Sequence, residues 1–213
     1  MKGTILLFFF IVSLSAVGQS HFIGLKGGVN LTNINSDAMR HADFRTGFSG
    51  GLSYEYFFRE KFSMSADIIY NQFGFSSTIQ FVGANGDPLS DKLRSHFKYN
   101  YLSIPIKTGF TIGTTGFGFT NIGIIPSILL NEKITNLATS GNGTETGKAK
   151  KFDLAGYVDI GGGYKFERYW LFASIAYQHS FTTITDSDYY SGVKMKHYGV
   201  MLSAGIKYQL SAK

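Results

Sequence analysis

Apolar and polar residues alternate one for one along much of this 213-residue chain. That period commits it to strands, because side chains on a strand change face at every residue. In segment 22–32, Ile23, Leu25, Val29 and Leu31 share a face with Gly27, opposite Gly24, Lys26, Gly28, Asn30 and Thr32. Segment 44–57 sets Phe44, Phe48, Leu52, Tyr54 and Tyr56 against Arg45, Ser49, Ser53 and Glu55, and 62–73 sets Phe62, Met64, Ala66, Ile68 and Tyr70 against Ser63, Ser65, Asp67 and Asn71. The second half repeats the scheme. Leu102, Ile104 and Ile106 oppose Tyr101, Ser103 and Lys107 in 98–110, and Ile122, Ile124, Ile128 and Leu130 oppose Asn121, Gly123 and Ser127 in 117–130. In 169–181, Leu171, Ala173, Ile175 and Tyr177 oppose Ser174, Gln178 and Ser180. The cleanest run is 196–210, where Tyr198, Val200, Leu202, Ala204, Ile206, Tyr208 and Leu210 oppose His197, Ser203, Lys207 and Gln209. Segment 152–165, with Leu154, Val158 and Ile160 among Gly156 and Gly162, carries the pattern more weakly and makes an eighth strand.

Composition supports the same class. The chain holds 26 Gly, 20 Phe and 13 Tyr, and its charged residues make up 16% against a usual ~25%. Cysteine is absent, which excludes a disulfide framework, a thiolate metal site, a cysteine nucleophile and a lipid-anchored N-terminal cysteine. The net charge of +6 invites a nucleic-acid reading, but the one dense basic group, Lys148, Lys150 and Lys151, has no aromatic residues interleaved with it. No nucleic-acid partner is expected.

The first residues read as an address. Lys2 precedes an apolar run from Ile5 to Val12, followed by the small-residue stretch Ser13–Gly18 with Ala16 and Gly18 at the −3 and −1 positions of a cleavage site. This is the order of a secretory signal peptide, and the run is shorter than the ~20 residues a spanning helix needs. Residues 1–18 are therefore expected to be a signal peptide and 19–213 a single domain. Connections between the strands alternate in length. Phe58–Lys61, Gly113–Gly116 and Phe166–Arg168 are tight, whereas 33–43, 74–97, 131–151 and 182–195 are long and polar. Short turns on one rim and long loops on the other fit an all-β fold, an eight-stranded antiparallel up-and-down transmembrane β-barrel of the outer membrane.

The faces choose the solvent. Lys26, Lys107, Lys165 and Lys207, with Glu55, Asp67, Asp153 and Asp159, fall on the polar phase, and the opposite phase carries almost no charge in its central part. A charge facing hydrocarbon costs roughly 2–4 kcal/mol at the midplane, so these eight are expected to point inward and pair in the lumen. Gly24, Gly28, Gly123, Gly161, Gly163 and Gly205 would make room for them. Aromatics gather at the strand ends as two girdles: Tyr54, Tyr56, Phe58, Phe62, Tyr164, Phe166, Tyr169, Trp170 and Tyr208 toward the turns, and Phe44, Tyr70, Phe97, Tyr99, Tyr177, Phe181 and Tyr198 toward the loops. His179 lies on the lipid phase near the loop end, where water or head groups can solvate it unless a bulge turns it inward. The same strands with the apolar face inside would make a soluble lipocalin-like binding cup.

The stretch Ala16–Ser20, the opening Gly24–Thr32, the segment Leu102-Ser103-Ile104-Pro105-Ile106 and the closing alternation Gly205–Leu210 resemble the small PorT-like outer-membrane β-barrel family common in the Bacteroidota. The resemblance covers about Gln19 to Leu210. It implies a barrel of this size in the outer membrane and no catalytic residue; members have mixed roles, including accessory functions in protein secretion. The tail Ser211-Ala212-Lys213 departs from the terminal aromatic with which many such barrels end.

The remaining motifs carry little chemistry. Asn142–Lys148 lacks the glycine spacing and the hydroxyl after lysine of a phosphate loop, and reads as an exposed loop. Asp186 and Asp188 lack the glycine and distal glutamate of a calcium loop. His21, His41, His96, His179 and His197 show no metal spacing. His179 and Ser180 are adjacent and so point to opposite faces, although His96, Ser180, Asp186 and Asp188 could gather across loops as an outer-leaflet lipid hydrolase. No catalytic, cofactor or metal site is expected. The chain is expected to be a non-enzymatic barrel with a plugged, charged lumen and four exposed loops, serving structure, adhesion or secretion; a narrow porin is the other membrane reading. Its expected partners are outer-membrane lipid, lipopolysaccharide touched by Lys148, Lys150 and Lys151, the barrel-assembly machinery, and an unidentified surface or secretion partner met by the loops.

Overall fold

A computed structural model describes residues 20–37, 42–82, 85, 88–138, 141–145, 147–185 and 193–210. The expected signal peptide, Asp186, Asp188 and the tail 211–213 lie outside them. The strands are β1 (Ser20–Ser36), β2 (Ala42–Phe57), β3 (Phe62–Val82), β4 (Pro88–Ser103), β5 (Ile106–Ile112), β6 (Gly116–Ala138), β7 (Gly141–Glu145), β8 (Phe152–Phe166), β9 (Tyr169–Ser180) and β10 (Met195–Gln209). All but β7 pair antiparallel with their neighbours around a ring, and β10 returns to β1, so the sheet closes. Closure removes the unpaired edge that no lipid can satisfy.

β4 and β5 form one stave of the eight. Pro105 interrupts it because proline has no N–H to donate. The ladder bridges the gap: the Ile104 N–H donates to the Pro126 carbonyl at 2.9 Å, and the Pro105 carbonyl accepts from the Asp67 N–H at 3.0 Å. β7 pairs with β6 outside the ring. Where β2 meets β3, a bulge puts an extra residue on β2 between Phe44 and Ser49. The β3 backbone groups left there are taken by β1: Thr32 Oγ1 accepts from the Gly74 N–H at 2.9 Å and donates to its carbonyl at 2.8 Å, while Asn30 Nδ2 donates to the Gln72 carbonyl.

The phases stand as the alternation requires. Ile23, Leu25, Leu52, Ile68, Ile122, Ile160, Ile175 and Leu202 are exposed on the outer wall, while Glu55, Asp67, Lys107, Asp153, Asp159 and Gln178 are buried. Segment 152–165 resolves cleanly, with Phe152, Val158, Ile160, Tyr164 and Phe166 all outward. His179 pairs with Tyr198 and Gly156 without a bulge and faces outward. Among the described residues no helix is long and apolar enough to cross a membrane; here strands do so.

Two of the four long connections are corrected. Much of 74–97 and 131–151 is strand, because β3 runs 21 residues and β6 runs 23, about twice the ~9–11 that a tilted membrane strand needs. Asn142–Lys148, expected as a loop, contributes β7. Alternation reports a contrast between two solvents. Beyond the apolar band the outer wall leaves hydrocarbon, so the apolar half of the signal ends while the backbone ladder continues.

Candidate functional site in the lumen and the upper barrel

The lumen is organised in layers. Next to the tight turns, Phe22, Phe57, Phe117 and Trp170 converge, with Phe22 and Trp170 ring centres 4.5 Å apart. Lys165 belongs to this layer. Its Nζ lies 4.1 Å from the Trp170 ring centre and donates to the Gly113 carbonyl, so it stands apart from the carboxylates it was expected to join. Trp170 likewise faces the lumen and is no part of the girdle.

Above it lies the charged layer. Asp67 Oδ2 accepts from Lys26 at 2.6 Å and from Lys107 at 2.8 Å, and Lys207 pairs with Glu55, which also accepts from Ser63. Asp159 accepts from Asn121 Nδ2 and from the Tyr157 hydroxyl, both at 2.6 Å. Three lysines thus face three carboxylates, brought together from β1, β2, β3, β5, β8 and β10. The cavity among them is about 30 Å³, room for a water or two. The sequence assigned the inward glycines to the charges. The structure gives half of that room to aromatics: a Cβ on Gly163 or Gly205 would meet Phe117 or Phe172 at 2.7 and 2.6 Å and one on Gly161 would meet Phe119, whereas Gly28 and Gly123 lie against the backbone of neighbouring strands and Gly24 against Lys207.

Asp153 is one layer further up and forms no ion pair. It accepts from Ser180 at 2.7 Å and Thr182 at 2.6 Å. Beyond it the interior turns apolar, with Ile34, Phe73, Phe75, Tyr99, Tyr101, Ile125, Ile184 and Met195 in one buried cluster. Phe75 and Phe97 stack with centres 4.3 Å apart. Phe97 and Tyr99 therefore also leave the expected girdle and face inward. The segment 182–185 closes over this cluster: Ile184 is buried, its N–H donates to the Met195 carbonyl, and its carbonyl accepts from the Lys150 N–H.

With this geometry, residues 18–186 match the family model described as "Outer membrane protein beta-barrel domain". The chain belongs to that family. Two solved barrels share its fold. Neisserial surface protein A is 15% identical, with a TM-score of 0.50, covering 90% of this chain and 98% of its own. OprG from Pseudomonas aeruginosa is 12% identical, with a TM-score of 0.51, covering 92% and 97%. No curated protein matches the chain by sequence. This outer-membrane barrel then has its tight turns on the periplasmic side and its long strands projecting outward.

On the extracellular side the outer wall changes character in steps. Tyr70, Leu102, Ile128 and Leu130 end the apolar band. Gln72, Asn100 and Asn131 follow, paired in register across β3, β4 and β6 and linked side chain to side chain. Past that amide row the outer face carries Lys98 opposite Lys133, His96 opposite Thr135, and Arg94 opposite Leu137. His96 Nδ1 lies 2.7 Å from Ser76 Oγ. Burial, reinforced by Arg94 and Arg45, holds its imidazole below the ordinary 6.5. Sequence reading missed Arg94 and His96 by treating 74–97 as loop, and Lys133 by treating 131–151 as loop. A signal was there: from Arg94 to Tyr101 basic residues occupy one phase and Phe97, Tyr99 and Tyr101 the other.

The described residues considered for a hydrolase, His96, His179 and Ser180, do not come together. Ser180 is fully buried and donates to a carboxylate, His179 faces outward, and His96 is engaged with Ser76. Lys148, Lys150 and Lys151 are exposed beside the closing segment, where the Lys151 carbonyl accepts from the Leu129 N–H.

Proposed function

We propose that this protein is a non-conducting, non-enzymatic outer-membrane barrel whose lumen is plugged. Its projecting upper barrel is the working surface, serving envelope integrity, adhesion or an accessory role in secretion. The observation that carries the reading is the dense packing of the described side chains along the lumen. A Trp170-centred aromatic layer, a neutral set of three lysines and three carboxylates, and the Phe75–Tyr99 cluster stand in series, with about 30 Å³ left among the charges. An eight-stranded wall is just wide enough for side chains to fill.

On this reading residues 1–18 direct export, barrel-assembly machinery inserts the mature chain, and Lys148, Lys150 and Lys151 lie within reach of lipopolysaccharide. The PorT-like assignment within the family rests on Ala16–Ser20, Gly24–Thr32, Leu102–Ile106 and Gly205–Leu210. The test is conductance in planar bilayers with the full mature barrel. A flat trace at 100 mV-scale potentials is expected; stable, stepwise openings would establish a narrow porin instead.

A further inference from the structure

We propose that the outer face of β3, β4 and β6 just beyond the apolar band clasps the phosphate groups of an outer-leaflet glycolipid, through Lys98 and Lys133 with Arg45, His96 and Arg94 behind them. The inference goes beyond the loop lysines and rests on the membrane placement, not on whether the lumen conducts.

The cationic row is electrostatically frustrated. Lys98 and Lys133 face each other directly across the β4–β6 ladder, an arrangement of like charges that is destabilising in a sheet. Among the described residues neither has an acidic partner, since the ion pairs there are those of Asp67 and Glu55 in the lumen. Glu132, next in sequence to Lys133, points the other way and accepts from the Ala149 N–H at 2.9 Å. Asp43, opposite Ser76 in register, forms no ion pair with the cations. Among the described residues no carboxylate closes on these cations.

A second, independent feature points to the same place. Gly74, in register with Lys98, has no side chain, and the Arg45 side chain lies across it: a Cβ there would meet Arg45 Cδ at 3.0 Å and Nη1 at 3.1 Å. The β2 bulge delivers Arg45 to this face. Its Nη1 is buried without a partner, so its charge is only partly solvated.

Position then selects the occupant. Along one face, β4 reads Ile104, Leu102, Asn100, Lys98, His96, Arg94, passing from apolar to amide to cationic at about 6–7 Å per step along the strand. These side chains project sideways, in the plane of the membrane, so the neighbour they meet is a lipid or another membrane protein. A second copy would bring the same positive face. A phosphorylated glycolipid brings acyl chains to Leu102, Ile104, Ile128 and Leu130, and its phosphates to the row immediately above.

The test uses the full mature barrel in a neutral detergent, titrated with diphosphoryl lipid A and read by native mass spectrometry, with heat-modifiable mobility confirming the fold. Saturable binding is expected. Lys98→Gln with Lys133→Gln should weaken it about tenfold or more, and dephosphorylated lipid A should bind the unaltered protein comparably weakly. Lys98→Arg with Lys133→Arg should bind within about threefold of the unaltered protein, and Arg94→Gln alone gives a milder loss if the double variant fails to fold. Full affinity in the double glutamine variant, equal binding of the dephosphorylated lipid, or a loss confined to Lys148→Gln, Lys150→Gln and Lys151→Gln would each overturn the proposal.

Discussion

The stem and the projecting part of the barrel are built from the same strands turned inside out. In the stem β6 presents Ile122, Ile124 and Ile128 outward and Asn121 inward; past Leu130 it presents Lys133 and Thr135 outward and Ile134 inward toward the Phe75–Tyr99 cluster. β4 makes the same inversion between Leu102 and Lys98. Each part follows the ordinary rule for its solvent. Hydrocarbon outside forces charge into the lumen and forces it to pair; water outside lets an apolar core form within. The inversion places the cationic row where lipid ends, which is why a single ladder carries both a membrane anchor and a recognition surface.

The largest effect should come from the stem's interior. Asp67→Asn leaves Lys26 and Lys107 facing each other without their carboxylate, and we expect a loss of about 3–5 kcal/mol in the urea unfolding of the bilayer-inserted barrel. Glu132→Gln tests the counterpart in the projecting part. Burial lifts that carboxyl above the usual range and its partners are neutral, so about 1 kcal/mol or less is expected. Equal costs at the two sites would remove the distinction. On the outer wall, Ile124→Lys should cost about 2–4 kcal/mol and Thr135→Lys, on the same strand and face, under about 1 kcal/mol. If the two behaved alike, the membrane boundary would not lie at the amide row.

The smallest effect concerns His96. Its imidazole should titrate below 6.5 by NMR in neutral detergent. Because the folded value is depressed, its contribution to stability is present above 6.5 and fades as pH falls through the folded value. His96→Gln should abolish that weak dependence, and a midpoint at or above 6.5 would mean that the neighbouring cations are already neutralised.

Lys26, Lys107, Asp67 and Glu55 were placed by period alone, since side chains two apart on a strand share a face whatever the loops do. Asp153 and Lys165 share that phase, yet height along the barrel axis separates them from the others, and height depends on the stagger between strands. Trp170, Phe97 and Tyr99 were misread for a related reason. An aromatic near a strand end suits a girdle by composition, whereas its phase puts it in the lumen, and phase governs. Arg45 could not have been found: it reaches Gly74 only because a bulge lifts β2 away from β3.

The sequence by itself determined that the chain forms strands, how many cross, and which side of each meets lipid, because those follow from a local two-residue period set against a single solvent boundary. The tertiary structure decided which charges meet, how far the strands continue beyond the membrane, and that Arg45, Lys98 and Lys133 share one face. Those depend on register, stagger and two bulges, one on β2 and one on β6 between Leu129 and Asn131, which arise only when the ring closes and strands distant in sequence fix one another's height.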